Sequence, residues 1–139
     1  MMTFDEAHVV IKRGDIVRLR NELDSGFDAN LTNAYSWSVL MLAAISGNTV
    51  IGQMLIERGA ALDTRHKSGG SALSLAIETG HPSFVKLLLD HGASMNCGRN
   101  DEPLENSFDA YEKYTVARHC IGRIRQIFQA EREKRSQCA

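Results

Sequence analysis

Two short stretches decide the fold: residues 38–49 read SVLMLAAISGNT, and residues 71–82 read SALSLAIETGHP. They are separated by about 33 residues and share a serine, two leucines, an alanine and a glycine at matching positions. Leu40, Ala43 and Ala44 are spaced i, i+3 and i+4, which places them on one face of a helix. Each stretch therefore predicts a short apolar helix whose small alanines let a neighbouring helix approach closely.

Serines and glycines mark the two ends of this predicted helix. Ser38 and Ser71 stand where an N-cap hydroxyl accepts a hydrogen bond from the first helical turn. Gly47 and Gly80 stand where the helix ends, because glycine enters positive φ without a steric penalty. Both stretches thus carry the same start and stop signals.

The same spacing recurs over most of the chain and defines a repeat period. Three series follow it: Gly14, Gly47 and Gly80; Gly26, Gly59 and Gly92; Asn30, Asp63 and Asn96. A second apolar segment, at 50–55 and 84–88, follows the tight turn and precedes a long polar turn. One unit of helix, turn, helix and turn is too thin to bury its own apolar faces, so copies must stack.

The sequence resembles the ankyrin repeat family. The resemblance is carried by the pairs Gly47-Asn48 and Gly80-His81, by residues 84–89 (FVKLLL), and by residues 59–63 (GAALD) and 92–96 (GASMN). It implies an all-α fold, an ankyrin-like helix-turn-helix repeat solenoid. It also implies a structural role for His81, which follows the glycine between two helices.

Residues 1–139 are read as a single ankyrin-repeat domain. Its parts are an N-capping repeat (3–33), repeat 2 (34–66), repeat 3 (67–99), a divergent repeat with a C-capping helix (100–131) and a frayed tail (132–139). Thr3 and Glu6 form a capping box for the first helix. Pro103-Leu104 suggests a helix start two residues early, and an apolar stripe from Val116 to Phe128 predicts the long final helix.

Gly52 departs from the family pattern, since it replaces a core residue inside a second helix. Glycine in a helix interior costs about 1 kcal/mol relative to alanine. The expected consequence is an array less stable than one built from consensus repeats.

Composition excludes several classes of protein. With 43% hydrophobic and 24% charged residues, the chain lies in the globular range, and its net charge of −1 lacks the basic footprint of nucleic-acid binders. The longest apolar run, residues 39–45, is too short to span a bilayer, and no basic segment followed by an apolar stretch opens the sequence, so secretion is not expected. Three cysteines favour a reducing, cytoplasmic location, and a monomer is expected.

No residue pattern indicates catalysis, a cofactor or a metal ion. The five histidines and three cysteines do not fall at ligand spacings such as H-E-x-x-H or C-x-x-C. Gly69-Gly70 lacks the lysine and serine or threonine of a phosphate-binding loop. The sequence therefore predicts a protein that is not an enzyme.

The family resemblance implies a protein-binding concave surface, made of the turn tips and the exposed side of each first helix. The candidate partner-binding residues are Ala34, Tyr35, Trp37, Ile45, Ser46, Lys67, Ser68, Glu78, Thr79, Arg99, Asn100 and Asp101. Tyr35 and Trp37 are the expected anchors, because aromatic residues dominate binding hot spots. An alternative of equal weight is that Trp37 packs over the first cap and covers its apolar edge.

The C-terminal part offers a second hypothesis. Residues 100–114 hold five acidic residues against one lysine, and residues 115–139 hold six basic residues against two glutamates. Arg118, Arg123 and Arg125 on this basic helix could contact nucleic acid or an acidic partner, although such charges are usually a solvated helix face. The favoured hypothesis is a module that binds a protein partner as a scaffold, inhibitor or immunity-type blocker.

Overall fold

A computed structural model describes residues 1–137, with Arg99 described by its backbone only. Six helices form three consecutive pairs: α1 (Phe4–Arg13) with α2 (Ile16–Asp24), α3 (Val39–Ser46) with α4 (Thr49–Glu57), and α5 (Ala72–Glu78) with α6 (Pro82–Asp90). The first helices pack in series, α1 on α3 and α3 on α5, and the second helices do likewise, α2 on α4 and α4 on α6. The fold is the helix-turn-helix repeat solenoid that the sequence predicts.

The core lies between these two layers of helices. In α3, every residue from Val39 to Ala44 is buried, because this helix is covered by both neighbouring first helices and by α4. The N-terminal repeat has a neighbour on one side only, and its second helix α2 buries just Leu19 and Leu23. This difference is the one expected between a central repeat and a cap.

The helix ends are formed by the residues that the sequence marks. Thr3 Oγ1 accepts a hydrogen bond from the Glu6 N–H at 3.2 Å, and the Glu6 carboxylate accepts one from the Thr3 N–H at 3.0 Å. Ser38 Oγ accepts from the Met41 N–H at 3.2 Å, and Ser71 does the same for the next repeat. Gly47 has φ of 70°, in the left-handed region.

The third periodic series ties consecutive repeats together. Asn30 Oδ1 accepts a hydrogen bond from the Ala61 N–H at 2.7 Å, and Asp63 Oδ1 accepts one from the Ser94 N–H at 2.8 Å. These two bonds are related to each other by one repeat period, in both their donors and their acceptors. No regular repeat follows Asn96. Its Oδ1 therefore accepts a hydrogen bond from the Arg132 guanidinium, at 3.2 Å, instead of one from a backbone N–H.

The C-terminal part departs from the repeat. It consists of short 3-10 turns at Arg99–Asp101, Leu104–Ser107 and Val116–His119, helix α7 (Phe108–Tyr114) and helix α8 (Ile121–Gln137). Leu104 begins its turn and is buried, in agreement with an early helix start. Helix α8 packs on α6 and closes the second-helix layer.

The frayed tail expected from residue 132 is wrong for residues 132–137, because α8 continues to Gln137. Arg132 donates two hydrogen bonds of 2.8 Å to Glu105. Arg135 donates to Glu131 at 2.8 Å and to the Ala93 carbonyl at 2.9 Å. These side chains hold the last turns of the helix against the stack. Residues 138–139 of the expected tail lie outside the described part of the chain.

None of the helices within residues 1–137 has the length and apolar character needed to cross a membrane.

Candidate partner-binding surface

The long turns of repeats 2 and 3 project side by side from the helical layers. Each turn is closed by one antiparallel bridge, Thr32 to Ser38 and Arg65 to Ser71, again one repeat period apart. The two turns are joined at their tips, because the Lys67 N–H donates a hydrogen bond of 2.9 Å to the Tyr35 carbonyl. The Tyr35 side chain is 67% exposed at this junction.

Trp37 joins the same two turns through its ring. It is half-buried and stacks on His66, with ring centroids 4.6 Å apart and planes 4° from parallel. The His66 ring is itself fixed, since its Nδ1 accepts a hydrogen bond from the Ser68 N–H at 3.1 Å. Trp37 therefore contacts the next turn of the stack, and one face of its indole is covered within the chain.

The remaining candidate residues differ in their exposure and contacts. Ala34, Ile45, Ser46, Lys67, Ser68, Asn100 and Asp101 are exposed, and Glu78 and Thr79 are half-buried. The Thr79 hydroxyl is used locally, because it donates to the Leu75 carbonyl at 2.6 Å. Asp101 forms an ion pair with Arg65 at 3.1 Å. The side chain of Arg99 lies outside the described part of the structure.

Three of the candidates meet in one cavity of about 400 Å³, called here the cleft. Ser68, Glu78 and Asn100 line it together with the turn at Gly70, helix α5 at Ser74 and helix α7 at Tyr111. Tyr35 and Trp37 are not among its lining residues. The structure thus brings some candidates into two groups, the joined turn tips and the cleft, whereas Ile45, Ser46 and Thr79 belong to neither.

The ionisable groups of the cleft are affected by burial. Burial raises the pKa of Glu78, and the charge of His66 and a hydrogen bond with Tyr111 lower it by smaller amounts. Burial and the neighbouring Glu78 carboxylate raise the pKa of Tyr111 to about 12. Burial also raises the pKa of the Cys97 thiol, which accepts a hydrogen bond from the Ser71 hydroxyl at 3.3 Å. At neutral pH Tyr111 and Cys97 are therefore uncharged.

Three of the six basic residues in the C-terminal segment form ion pairs within the chain. Arg125 pairs with Asp109 at 2.6 Å, Arg132 with Glu105, and Arg135 with Glu131. Within residues 1–137, Arg118, Arg123 and Lys134 form no ion pair. Half of the six cations on this segment are therefore already matched by acidic groups of the same chain.

Across the described residues, no three His, Cys, Asp or Glu side chains lie close enough together to hold a metal ion. Two cysteines of this part, Cys97 and Cys120, are free thiols.

Sequence reasoning placed Glu78 on the surface but did not find the cleft around it. Tyr111 and Leu104 lie in the segment where the period is lost, so no register indicated that they face α5. One signal was available for His66. Gly70 leaves space for its ring, since a Cβ on Gly70 would lie 2.3 Å from His66 Nε2.

Comparison with known proteins gives a consistent result. The model of the family described as ankyrin repeats (3 copies) matches residues 7–99. An ankyrin repeat-containing protein of Treponema pallidum (strain Nichols) is 36% identical over 64 residues, 46% of this chain and 22% of that protein. Ankyrin repeat and SAM domain-containing protein 6 of Danio rerio is 37% identical over 81 residues, 58% of this chain and 11% of that protein.

A third relative is NAD-capped RNA hydrolase NUDT12 of Homo sapiens, 32% identical over 108 residues, 77% of this chain and 22% of that protein. The chain thus spans less than a quarter of the length of each of these relatives. The similarity covers only part of each relative's length.

Proposed function

Because this chain belongs to the ankyrin repeat family, whose repeats generally mediate protein–protein interaction, we propose that it binds a protein partner through its joined turn tips and the adjoining cleft. The observation that carries the proposal is the pair of tips fixed to each other by the Lys67–Tyr35 hydrogen bond and the Trp37–His66 stack. A surface that is rigid before binding loses less conformational entropy when a partner docks.

Tyr35 is the primary anchor in this proposal, and Trp37 supports it. Tyr35 presents a large and exposed aromatic side chain, whereas the Trp37 ring is half-buried against His66. Tyrosine suits this role, because it buries a large area with few rotatable bonds. Binding of this kind blocks or gathers other proteins without chemistry, so the proposed role is that of a scaffold, inhibitor or immunity-type blocker in the cytoplasm, acting as a monomer.

The test is quantitative binding by an identified partner. A partner captured on the wild-type protein is purified, and its affinity is measured by titration calorimetry for wild type, Tyr35→Ala and Val50→Ala. Val50 is the matched control, because it is 49% exposed on α4, a second helix on the other layer. We expect Tyr35→Ala to weaken binding about tenfold or more, as hot-spot truncations do. Equal affinities for all three proteins would rule out the tips as the binding surface.

The alternative of a nucleic-acid contact has a narrower basis. It rests on Arg118 and Arg123, the two arginines of the segment that form no ion pair among the described residues. Two phosphate contacts give weak binding with only a shallow salt dependence. Binding to duplex DNA or single-stranded RNA that disappears in the Arg118→Ala/Arg123→Ala variant would favour it.

A further inference from the structure

The cleft exists because the series of first helices is interrupted after α5. In the stack, α3 lies directly against both α1 and α5. The next neighbour of α5 is not α7 but the 3-10 turn Val116–His119. Tyr111 of α7 and Leu104 of the preceding turn therefore face α5 across a gap of about 400 Å³. This interruption forms the cleft.

Glu78 is the carboxylate of the cleft that forms no ion pair with a described side chain. It is the last residue of α5, where the free carbonyl groups of a helix end add negative potential. Among the described side chains, no cation forms an ion pair with Glu78. Arg65 on the opposite wall is already engaged, since it pairs with Asp101 at 3.1 Å and reaches the Asn96 carbonyl at 3.4 Å.

Other polar side chains of the cleft are uncharged or form hydrogen bonds with nearby residues. Ser74 Oγ donates to the Ser71 carbonyl at 3.0 Å, and the Cys97 thiol accepts from the Ser71 hydroxyl. Tyr111 presents a hydroxyl beside the Glu78 carboxylate. The cleft therefore holds one carboxylate without an ion pair among the described residues, Glu78, together with uncharged hydrogen-bonding groups and Arg65, whose charge is matched by Asp101.

We propose that the cleft receives one lysine or arginine side chain of the protein partner, with the Glu78 carboxylate as its counter-charge. The inference rests on the proposed function and gives the partner a chemical requirement. A cation gains a charge-assisted hydrogen bond with Glu78. An acidic side chain would meet Glu78 and the helix carbonyls, and an apolar one would bury the carboxylate further without a counter-charge.

The cleft is tested with small probes, so no partner is needed. The amide signals of the ¹⁵N-labelled protein are followed while Nα-acetyl-arginine methylamide or Nα-acetyl-lysine methylamide is added. The citrulline analogue is the neutral control for arginine. We expect saturable shifts centred on Ser74, Glu78 and Gly98 with at least one cationic probe, and about tenfold weaker binding of the citrulline analogue.

Variants decide whether Glu78 is the counter-charge. Glu78→Gln should weaken the binding of the cationic probe about tenfold or more. Glu57→Gln is the matched control, because Glu57 is the last residue of α4 and is exposed outside the cleft. It should bind the probe as wild type does. Equal binding by wild type and Glu78→Gln, or equal binding of arginine and citrulline probes, would overturn the inference.

Two further outcomes are separable. If the probes bind only to an Arg99→Ala variant, the chain's own arginine occupies the cleft, and the inference is wrong. Failure of the probe titration removes the cleft assignment but leaves the turn tips untouched. If Tyr35→Ala does not weaken binding of the captured partner, the proposed function of the turn tips is wrong. The Glu78-dependent cation site can still be measured with the probes.

Discussion

Gly52 lies inside α4, and its lack of a side chain makes room for a ring of the next repeat. A Cβ at this position would lie 2.6 Å from Cε2 of Phe84 and 3.0 Å from Cδ2 of Leu87. Phe84 of α6 is fully buried, so its ring cannot shift without displacing other core side chains. The sequence showed only the helix-propensity cost of this glycine. Its compensation, a large aromatic residue in the adjacent repeat, appears only when the two second helices are placed together.

Gly52→Ala is therefore expected to destabilise the protein, although alanine is the better helix former. Overpacking a core costs about 1–3 kcal/mol, which exceeds the gain of about 1 kcal/mol in helix propensity. Gly122→Ala in α8 is the control, because a Cβ there meets nothing within 4 Å. It should leave stability unchanged or raise it by up to about 1 kcal/mol. Urea unfolding of both variants measures the difference, and stabilisation by Gly52→Ala would contradict the packing argument.

At the scale of elements, α8 shows how a solenoid is closed by side chains instead of by another repeat. Asn96 occupies the same repeat position as Asn30 and Asp63. Those two side chains accept hydrogen bonds from backbone N–H groups of the following repeat, whereas Asn96 accepts one from the Arg132 guanidinium. Arg132 at the same time binds Glu105 through two hydrogen bonds. The sequence predicted this helix from its apolar stripe. It could not predict how far the helix extends, because that depends on partners far away along the chain.

The pair of Glu105 and Arg132 makes the stability of this cap dependent on pH. Burial, the largest single effect, would raise the pKa of Glu105, but hydrogen bonding to Arg132, a backbone hydrogen bond and the charge of Arg132 together outweigh it, and the pKa is lowered. A carboxyl whose pKa is lower in the folded state stabilises the fold above its unfolded pKa of about 4.3. That contribution is lost as the pH falls through the folded pKa.

Glu105→Gln should accordingly lower the free energy of unfolding by about 1 kcal/mol at pH 7, a modest value because both side chains are about one-third exposed. The difference from wild type should shrink as the pH falls below about 4. Glu133→Gln, an exposed glutamate of α8 outside this ion pair, is the control. Thermal unfolding at pH 7 and pH 3.5 checks both statements. A difference that is independent of pH would exclude the ion pair as its source.

At the scale of the whole molecule, the repeat period was sufficient to predict the three helix pairs, their caps and the stacking order. Those features depend on local signals such as Ser38, Gly47 and Asn30, each of which acts within one repeat or on the next. The cleft could not be predicted, because Tyr111 and Glu78 come together only through the irregular turns after Asn96. The contact of Trp37 with His66 was missed for a related reason, since it joins two turns whose polar residues follow no hydrophobic pattern.

The same architecture predicts how stability is distributed along the chain. Each repeat contacts only its neighbours, so a defect should weaken nearby helices more than distant ones. Leu19 of α2 and Leu88 of α6 are both fully buried, the first in the N-terminal cap and the second between α4 and α8. Replacing either by alanine should cost about 2–5 kcal/mol. The two variants are therefore matched in chemistry and differ in position.

Hydrogen exchange monitored by mass spectrometry should separate them. In Leu19→Ala, exchange should accelerate most in α1 and α2, less in α3 and α4, and least in α8, because the defect is at one end of the stack. In Leu88→Ala, the acceleration should extend in both directions from α6, since this helix lies between α4 and α8. Uniform acceleration of all helices by Leu19→Ala would show that the whole array unfolds as one unit, with coupling between repeats stronger than the stability of the terminal repeat.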